Sequence, residues 1–119
     1  MLHNKMDGIG WFTFETTRRM AAKHPEVEFH FLFDRPFDKR FLFGENVKAH
    51  FLGPPARHSI LQKIWNNISV PILLRKIKPD LYLSPDAQGC LRTSVKQIIV
   101  IHDLNFEHYP KDMPGHYYR

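Results

Sequence analysis

Hydrophobic residues follow a helical spacing near the start of the chain and a strand spacing directly after it. Between Gly10 and Lys23 a stripe that begins at Trp11 is mostly apolar, which predicts an amphipathic helix. Pro25 disfavours helical geometry at the residue before it, so the helix is expected to end there. Every second residue from Val27 to Phe33 is apolar, which is typical of a strand with one face packed under helices.

The rest of the chain alternates between the same two patterns. A weaker strand is predicted at Val47–Leu52, and a helical pattern at Ser59–Lys78 is expected to be divided by Pro71. A short strand follows at Leu81–Leu83, and Val95–Ile101 contains four consecutive aliphatic residues, as in a central parallel strand buried on both faces. This alternation predicts an α/β fold with a mainly parallel sheet. A length of 119 residues accommodates one domain.

The helical pattern predicted after Ser59 carries its apolar residues along one stripe. The members of this stripe are Ile60, Leu61, Ile64, Trp65 and Ile68.

Charge narrows the class of partner only slightly. The chain has 17 Lys and Arg against 12 Asp and Glu, a net charge of +5, and its longest basic cluster comprises Arg75, Lys76 and Lys78. The apolar stretch Trp65–Lys78 is therefore a candidate for peripheral contact with an anionic membrane, and the alternative is a helix that covers the sheet and keeps its lysines in water. The aromatic residues mostly follow core periodicity, which argues against a nucleic-acid partner.

Cysteine content and the pattern of apolar residues indicate the cellular compartment. A single cysteine, Cys90, cannot form an internal disulfide, and Met1–Lys5 lacks the apolar run of a secretory signal. No stretch reaches the roughly 20 apolar residues that span a bilayer. A cytoplasmic protein is expected.

The first candidate for chemistry is Asp7-Gly8-Ile9-Gly10, at the start of the first predicted helix. Glycines there let backbone N–H groups approach an anion at the amino end of a helix. A dinucleotide fingerprint needs a preceding strand and a third glycine at position 13, which is Thr13. The alternative is a turn that simply starts a helix.

The second candidate is His102-Asp103, just past the last predicted strand. Ligands of open α/β sheets collect at the carboxyl ends of strands, where an imidazole can donate to a sugar hydroxyl and a carboxylate can orient it. The alternatives are a strand-end histidine with a capping aspartate, or a metal site that adds His108, whose spacing fits no common site.

Ser84-Pro85-Asp86 follows the strand at Leu81–Leu83 and is expected on the same edge of the sheet. Its side chains could bind hydroxyls, but a capping role within the turn is the stronger interpretation of Ser84 and Asp86 from the residues alone.

Three segments in chain order resemble the amino-terminal half of family 4 (group 1) glycosyltransferases. They are Asn4–Thr13, Lys78–Asp86 and Val100–Leu104, and together they extend over nearly the whole chain. The resemblance implies a GT-B architecture of two Rossmann-like domains, of which residues 1–119 are part of the acceptor-side domain. It further implies a retaining hexosyltransferase, such as a mannosyltransferase of polysaccharide biosynthesis, with no metal or other cofactor. Its substrates would be a nucleotide sugar and a glycan or lipid-linked acceptor, met in the cytoplasm or at the inner membrane face.

The resemblance also assigns roles to residues. Gly8, Ile9 and Gly10 would meet the diphosphate of the donor, His102 would reach the donor sugar, and Asp103 would lie beside it. Weaker candidates for acceptor contact are Ser84, Asp86, Asn105, His108 and Tyr109.

The sequence departs from the family in two places. The family begins with an apolar strand that leads into the glycine loop, and here only seven residues precede Gly8. Without that central strand, Val27–Phe33 and Leu81–Leu83 would have unpaired inner edges, which invite pairing with another chain. The chain also ends at Arg119, where the family continues into the donor domain. We therefore expect a truncated segment, inactive alone, that forms a swapped or edge-paired homodimer.

Two other functions remain open. One is a non-enzymatic α/β interaction module whose basic, aromatic helices bind a protein or a membrane surface. The other is a GT-B sugar-nucleotide epimerase, which the motifs around His102 and Ser84 disfavour.

Overall fold

The computed structural model describes residues 6–104 and residue 108. Helices and strands alternate along this part of the chain, so the predicted α/β class is confirmed. The elements are α1 (Gly8–Lys23), β1 (Phe29–Phe33), β2 (Val47–Phe51), α2 (Ser59–Ile64), a π-helical turn (Trp65–Ser69), α3 (Val70–Ile77), β3 (Leu81–Ser84) and β4 (Lys96–Ile99), with a short 3-10 turn at Lys39–Phe41.

The strands form two separate parallel pairs. β1 pairs with β2, from Phe29 opposite Val47 to Phe33 opposite Phe51. β3 pairs with β4 in the same sense, with Leu81 opposite Lys96. Within the described residues β1 and β3 each have one strand neighbour and one open edge, which agrees with the expectation for these two strands. Residues 1–5, on which the expectation of a missing first strand depends, lie outside the described part of the chain.

Helix α1 buries only part of the predicted stripe, which runs from Trp11 through Phe14 to Ala21: Ala21 is buried and Phe14 is half-buried. Trp11 is 53% exposed, whereas Thr13 and Thr17 are buried. The hydroxyl of Thr13 donates to Ile9 O at 2.8 Å and that of Thr17 to Thr13 O at 2.6 Å. Because each threonine is satisfied by its own helix, a stripe of small residues can lie inside and the bulky Trp11 can point outwards.

Phenylalanine rings cover the face of β1 that points towards α1. Phe33 is 5% exposed and Phe41, from the 3-10 turn, is fully buried. The Phe41 ring contacts Phe33 and also Phe14 of α1, both at 5.8 Å between centroids. Phe43 adds edge contacts to Phe14 and Phe31. Such rings contribute large buried areas and favourable edge-to-face geometry, so they fix α1 on the first strand pair.

The opposite face is covered by α3. Val70 and Leu74 form a buried cluster with Cys90, against which Leu32 of β1 and Tyr82 of β3 both pack. The helix layer therefore holds the two strand pairs together. Pro71 lies in the first turn of α3, where its missing N–H is tolerated, and the helical stretch continues into α3 from the π-helical turn before it.

Ile60 and Ile68 of the predicted stripe are 70% and 47% exposed, because Val70 and Leu74 provide the face on the sheets. One prediction about burial is wrong. β4 is not buried on both faces, since Ile98 is 50% and Ile99 44% exposed. In the described residues β4 has β3 alone as a strand neighbour, so it is an edge strand there. No helix among these residues is long and apolar enough to cross a membrane.

Candidate functional site

The first turns of α1 lie beside the carboxyl ends of β3 and β4. The rings of Phe12 and His102 meet edge to face, with their centroids 5.0 Å apart. On its other side, His102 Nε2 lies 2.7 Å from Pro85 O, in the turn that follows β3. One imidazole thus joins the helix that begins at Gly8 to the ends of both strands, although these segments are far apart in sequence.

The contact to Pro85 determines the tautomer of the neutral His102 ring. A carbonyl oxygen only accepts, so Nε2 must carry the hydrogen that it donates. In the neutral ring Nδ1 is then the nitrogen that can accept a hydrogen bond or a proton. The side chain is exposed. His102 is therefore an oriented, solvent-accessible imidazole at a strand end, as general acid–base work or recognition of a hydroxyl would require.

The glycine segment starts α1 without a special backbone conformation. Asp7 is the N-cap, and its Oδ1 accepts from Gly10 N at 2.7 Å. Among the described residues no glycine has a positive φ. The carboxylate occupies one of the helix N-terminal donors that an anion would use, and its charge would repel a phosphate. This favours the helix-start interpretation of Gly10, while Gly8 and Ile9 are exposed in the same turn.

Ser84 does not face solvent at the edge of the sheet. It is 1% exposed, and its hydroxyl lies 2.6 Å from Gln88 O and 2.8 Å from Asp86 Oδ1. Both contacts are within the turn after β3, which favours the capping alternative for Ser84. Asp86 is partly exposed. Burial, followed by the charge of Asp86, raises the pKa of Tyr82, so this phenol stays protonated.

The remaining candidates lie after β4. Asp103 is exposed beside His102. His108 is also exposed, and its backbone N–H donates to Leu104 O at 3.3 Å. Asn105 and Tyr109 lie outside the described residues. In the part of the chain that is described, no three His, Cys, Asp or Glu side chains are grouped to hold a metal ion.

Sequence reasoning missed a polar cluster on the first strand pair. His30 Nδ1 lies 2.7 Å from His50 Nε2, and the two rings stack with centroids 5.0 Å apart. Glu28 contacts His30 Nε2 and Lys48 Nζ, each at 2.6 Å. Burial, then the positive charges of His30, Lys76 and Lys48, lowers the pKa of His50. The signal is the alternation of polar residues on β1 and β2, which becomes informative only once the register is known.

Comparison with known proteins leaves the family open: no protein-family model, curated protein sequence or solved structure matches this chain.

Proposed function

We propose that the chain is the acceptor-side wall of a retaining glycosyltransferase cleft, acting on a nucleotide sugar and a glycan or lipid-linked acceptor. The observation that supports this most is the contact of Phe12 with His102, because it places an oriented imidazole between the start of α1 and the carboxyl ends of β3 and β4. This edge of a parallel sheet is where ligands of α/β proteins bind.

His102 would act through the side of the ring that Pro85 leaves accessible. The carbonyl of Pro85 holds Nε2–H, so the ring can accept a hydrogen bond at Nδ1 from a hydroxyl of the transferred sugar. A fixed dipole of this kind stabilises charge that develops on the sugar in an oxocarbenium-like transition state. Asp103 follows His102 in sequence, and Asp86 follows Pro85 in the turn after β3. Both carboxylates have exposed surface and would accept hydrogen bonds from sugar hydroxyls.

The start of α1 would bind the diphosphate only weakly. Asp7 already accepts a hydrogen bond from Gly10 N, so the residues left to contact the diphosphate of the donor are Gly8 and Ile9. Strong binding and turnover would require groups from the opposite wall of the cleft. We therefore expect millimolar affinity for a nucleotide sugar and no measurable transfer by these residues alone.

The test is a titration of the isotope-labelled chain with GDP-mannose and UDP-glucose, followed by backbone amide and histidine ring NMR signals. The expected result is a saturable shift confined to residues 8–12, 84–88 and 102–103. Substituting His102→Ala should remove the ring response and weaken binding several-fold without changing the fold, whereas His58→Ala, an exposed histidine before α2, should change neither.

Asp7→Asn makes this test specific for the diphosphate. Asparagine is as good an N-cap as aspartate but carries no charge, so the variant should keep α1 and bind the nucleotide sugar more tightly, by up to about tenfold. No shift at these residues at about 10 mM ligand, roughly ten times the millimolar dissociation constant expected, or shifts only elsewhere, would exclude the proposal.

A further inference from the structure

A row of exposed isoleucines runs along the outer side of the second helical segment. α2, the π-helical turn and α3 follow one another without a break from Ser59 to Ile77. Residues four apart on such a segment lie on the same face. The isoleucine row consists of Ile60, Ile64, Ile68 and Ile72, which are 70%, 36%, 47% and 60% exposed.

The segment is therefore apolar on two sides. Its inner side buries Val70 and Leu74 against the strand pairs, while the isoleucine row faces outwards. A helix that is hydrophobic all round is typical of one with packed neighbours on both sides. In a regular α-helix, residues four apart drift by about 40° around the axis at each step. The wider π-helical turn at Trp65–Ser69 rotates less per residue, which counters this drift and keeps the row on one side.

A groove lies beside the isoleucine row. Leu91 and Arg92, from the connection between β3 and β4, form its other wall, and Lys63 and Asn67 line it from the helix. Its volume is about 420 Å³. Leu91 is 87% exposed, so an apolar side chain entering this groove would contact aliphatic surface on both sides.

The charged residues that line the groove, Lys63 and Arg92, are both cations. The two segments that contribute to the groove, residues 59–77 and 87–95, contain no Asp or Glu. Since Lys63 and Arg92 are both exposed at the groove, a bound partner would place negative charge opposite them.

We propose that the isoleucine row and its groove bind an acidic amphipathic helix of a partner protein, independently of glycosyl transfer. Residues in i±4 rows are the ridges that interdigitate when two helices pack. Isoleucine is stiff at χ1, so it loses little freedom on binding. Apolar side chains of the partner would fill the groove, and flanking glutamates or aspartates would meet Lys63 and Arg92.

Two other occupants fit less well. A second copy of the chain would bring Lys63 and Arg92 against their own counterparts, with no carboxylate from either segment to separate them. A bilayer surface is usually contacted through tryptophan at the interface. Here the indole of Trp65 points inwards, and its Nε1 donates to Leu52 O at 2.9 Å.

The test uses two fluorescent 20-residue helical peptides with the same leucine stripe, one flanked by glutamates and the other by lysines. The glutamate peptide should bind the whole chain with micromolar affinity and the lysine peptide at least tenfold more weakly. Ile60→Asp and Ile68→Asp should each weaken binding of the glutamate peptide at least tenfold. Both side chains are exposed, so thermal unfolding of the variants should be close to that of the parent.

Charge reversal tests whether Lys63 and Arg92 cause the preference for an acidic peptide. Lys63→Glu combined with Arg92→Glu should exchange the preference, so that the lysine peptide binds better. Lys39→Glu, an exposed cation on the 3-10 turn, is the matched control and should leave the preference unchanged.

Four outcomes would overturn the proposal. These are binding of neither peptide, equal binding of both, dimerisation of the chain that Ile60→Asp abolishes, and binding to vesicles of phosphatidylcholine and phosphatidylglycerol that Ile60→Asp abolishes. The last two would identify a second copy or an anionic membrane as the occupant.

Discussion

The two strand pairs have similar backbones and very different surroundings. β1–β2 contributes five residue pairs and β3–β4 four, both in parallel register. Yet Phe33 of β1 is 5% exposed, whereas Ile99 of β4 is 44% exposed. The share of apolar residues is similar, seven of ten positions in the first pair and five of eight in the second, so hydrophobicity of the strands does not explain the difference.

The difference comes from what packs on each pair. Phenylalanines from α1 and from the chain between β1 and β2, among them Phe14, Phe41 and Phe43, cover β1. The second pair contacts the helix layer through Tyr82, but Leu81 and Ile98 remain about half exposed. A two-stranded parallel sheet is stable only when its faces are covered. We therefore expect the first pair to be the more resistant to local unfolding.

The largest effect is expected from Phe41→Ala. Phe41 is fully buried between Phe14 and Phe33, so truncation leaves a cavity and should lower the free energy of unfolding by about 4 kcal/mol. The matched change in the second pair is Ile99→Ala, which should cost less than about 1 kcal/mol because the side chain is largely exposed. Urea denaturation followed by circular dichroism measures both. Equal costs would show that the exposure of β4 does not describe the protein in solution.

Leu74→Ala tests whether the two pairs unfold together. Leu74 belongs to the cluster that contacts both Leu32 and Tyr82, so we expect a loss of about 3 kcal/mol. If the helix layer joins the pairs into one unit, amide hydrogen exchange should accelerate in β1 and β3 by the same factor. Acceleration in one pair alone would mean that they are separate cooperative units.

The sequence predicted the kinds of element well because that information is local. The strand predicted at Val27–Phe33 is observed at Phe29–Phe33, and the one at Val47–Leu52 ends one residue earlier. The buried stripe of α1 was predicted less well. The hydroxyls of Thr13 and Thr17 are hydrogen-bonded within α1, and a hydrophobicity pattern carries no information about such bonds.

The candidate site was predictable only in outline. The position of His102 after the last strand followed from the aliphatic run before it, because strand ends of a parallel sheet share an edge. The capping of Gly10 by Asp7 and the internal bonds of Ser84 depend on side-chain geometry, which spacing does not determine. The His30–His50 pair depends on the register between two strands and so has no signal in either strand alone.

Polar links are similar in the two pairs, unlike their apolar cover. In the first pair, Asn46 Nδ2 lies 3.1 Å from three carbonyls, those of Ala21, His24 and Val27. In the second, Gln97 accepts from Cys90 N at 2.8 Å and donates to Cys90 O at 2.9 Å.

Both Asn46→Ala and Gln97→Ala should cost about 1–2 kcal/mol, because the first removes a partly buried hydrogen bond to Ala21 O and the second removes those to Cys90 N and O. The second pair should thus lose as much as the first, although its strands are more exposed. Asn67→Ala removes an exposed bond within one helical segment and should change the free energy of unfolding by less than about 0.5 kcal/mol. If Gln97→Ala behaved like this control, the link to Cys90 would contribute nothing to stability.

The smallest effect is a dependence on pH that belongs to the first pair. The folded chain lowers the pKa of His50 through burial and through the nearby charges of His30, Lys76 and Lys48, against which Glu28 acts in the opposite sense. In the unfolded chain the pKa of this histidine is about 6.5. Below that pH the unfolded chain binds a proton that the folded chain resists, so stability should fall as the pH decreases from about 7 towards the folded value, and then level off.

The urea midpoint, measured between about pH 7.5 and 5, checks this prediction. Carboxylates of the unfolded chain have a pKa of about 4, so they stay ionised over most of this range. His50→Gln should flatten the dependence, whereas His58→Gln, outside the cluster, should leave its shape unchanged. The hydrogen bond between His30 and His50 can hold one shared hydrogen but not two, since two charged rings at 2.7 Å would repel. A dependence that survives in His50→Gln would therefore show that His50 is not the pH-sensitive group.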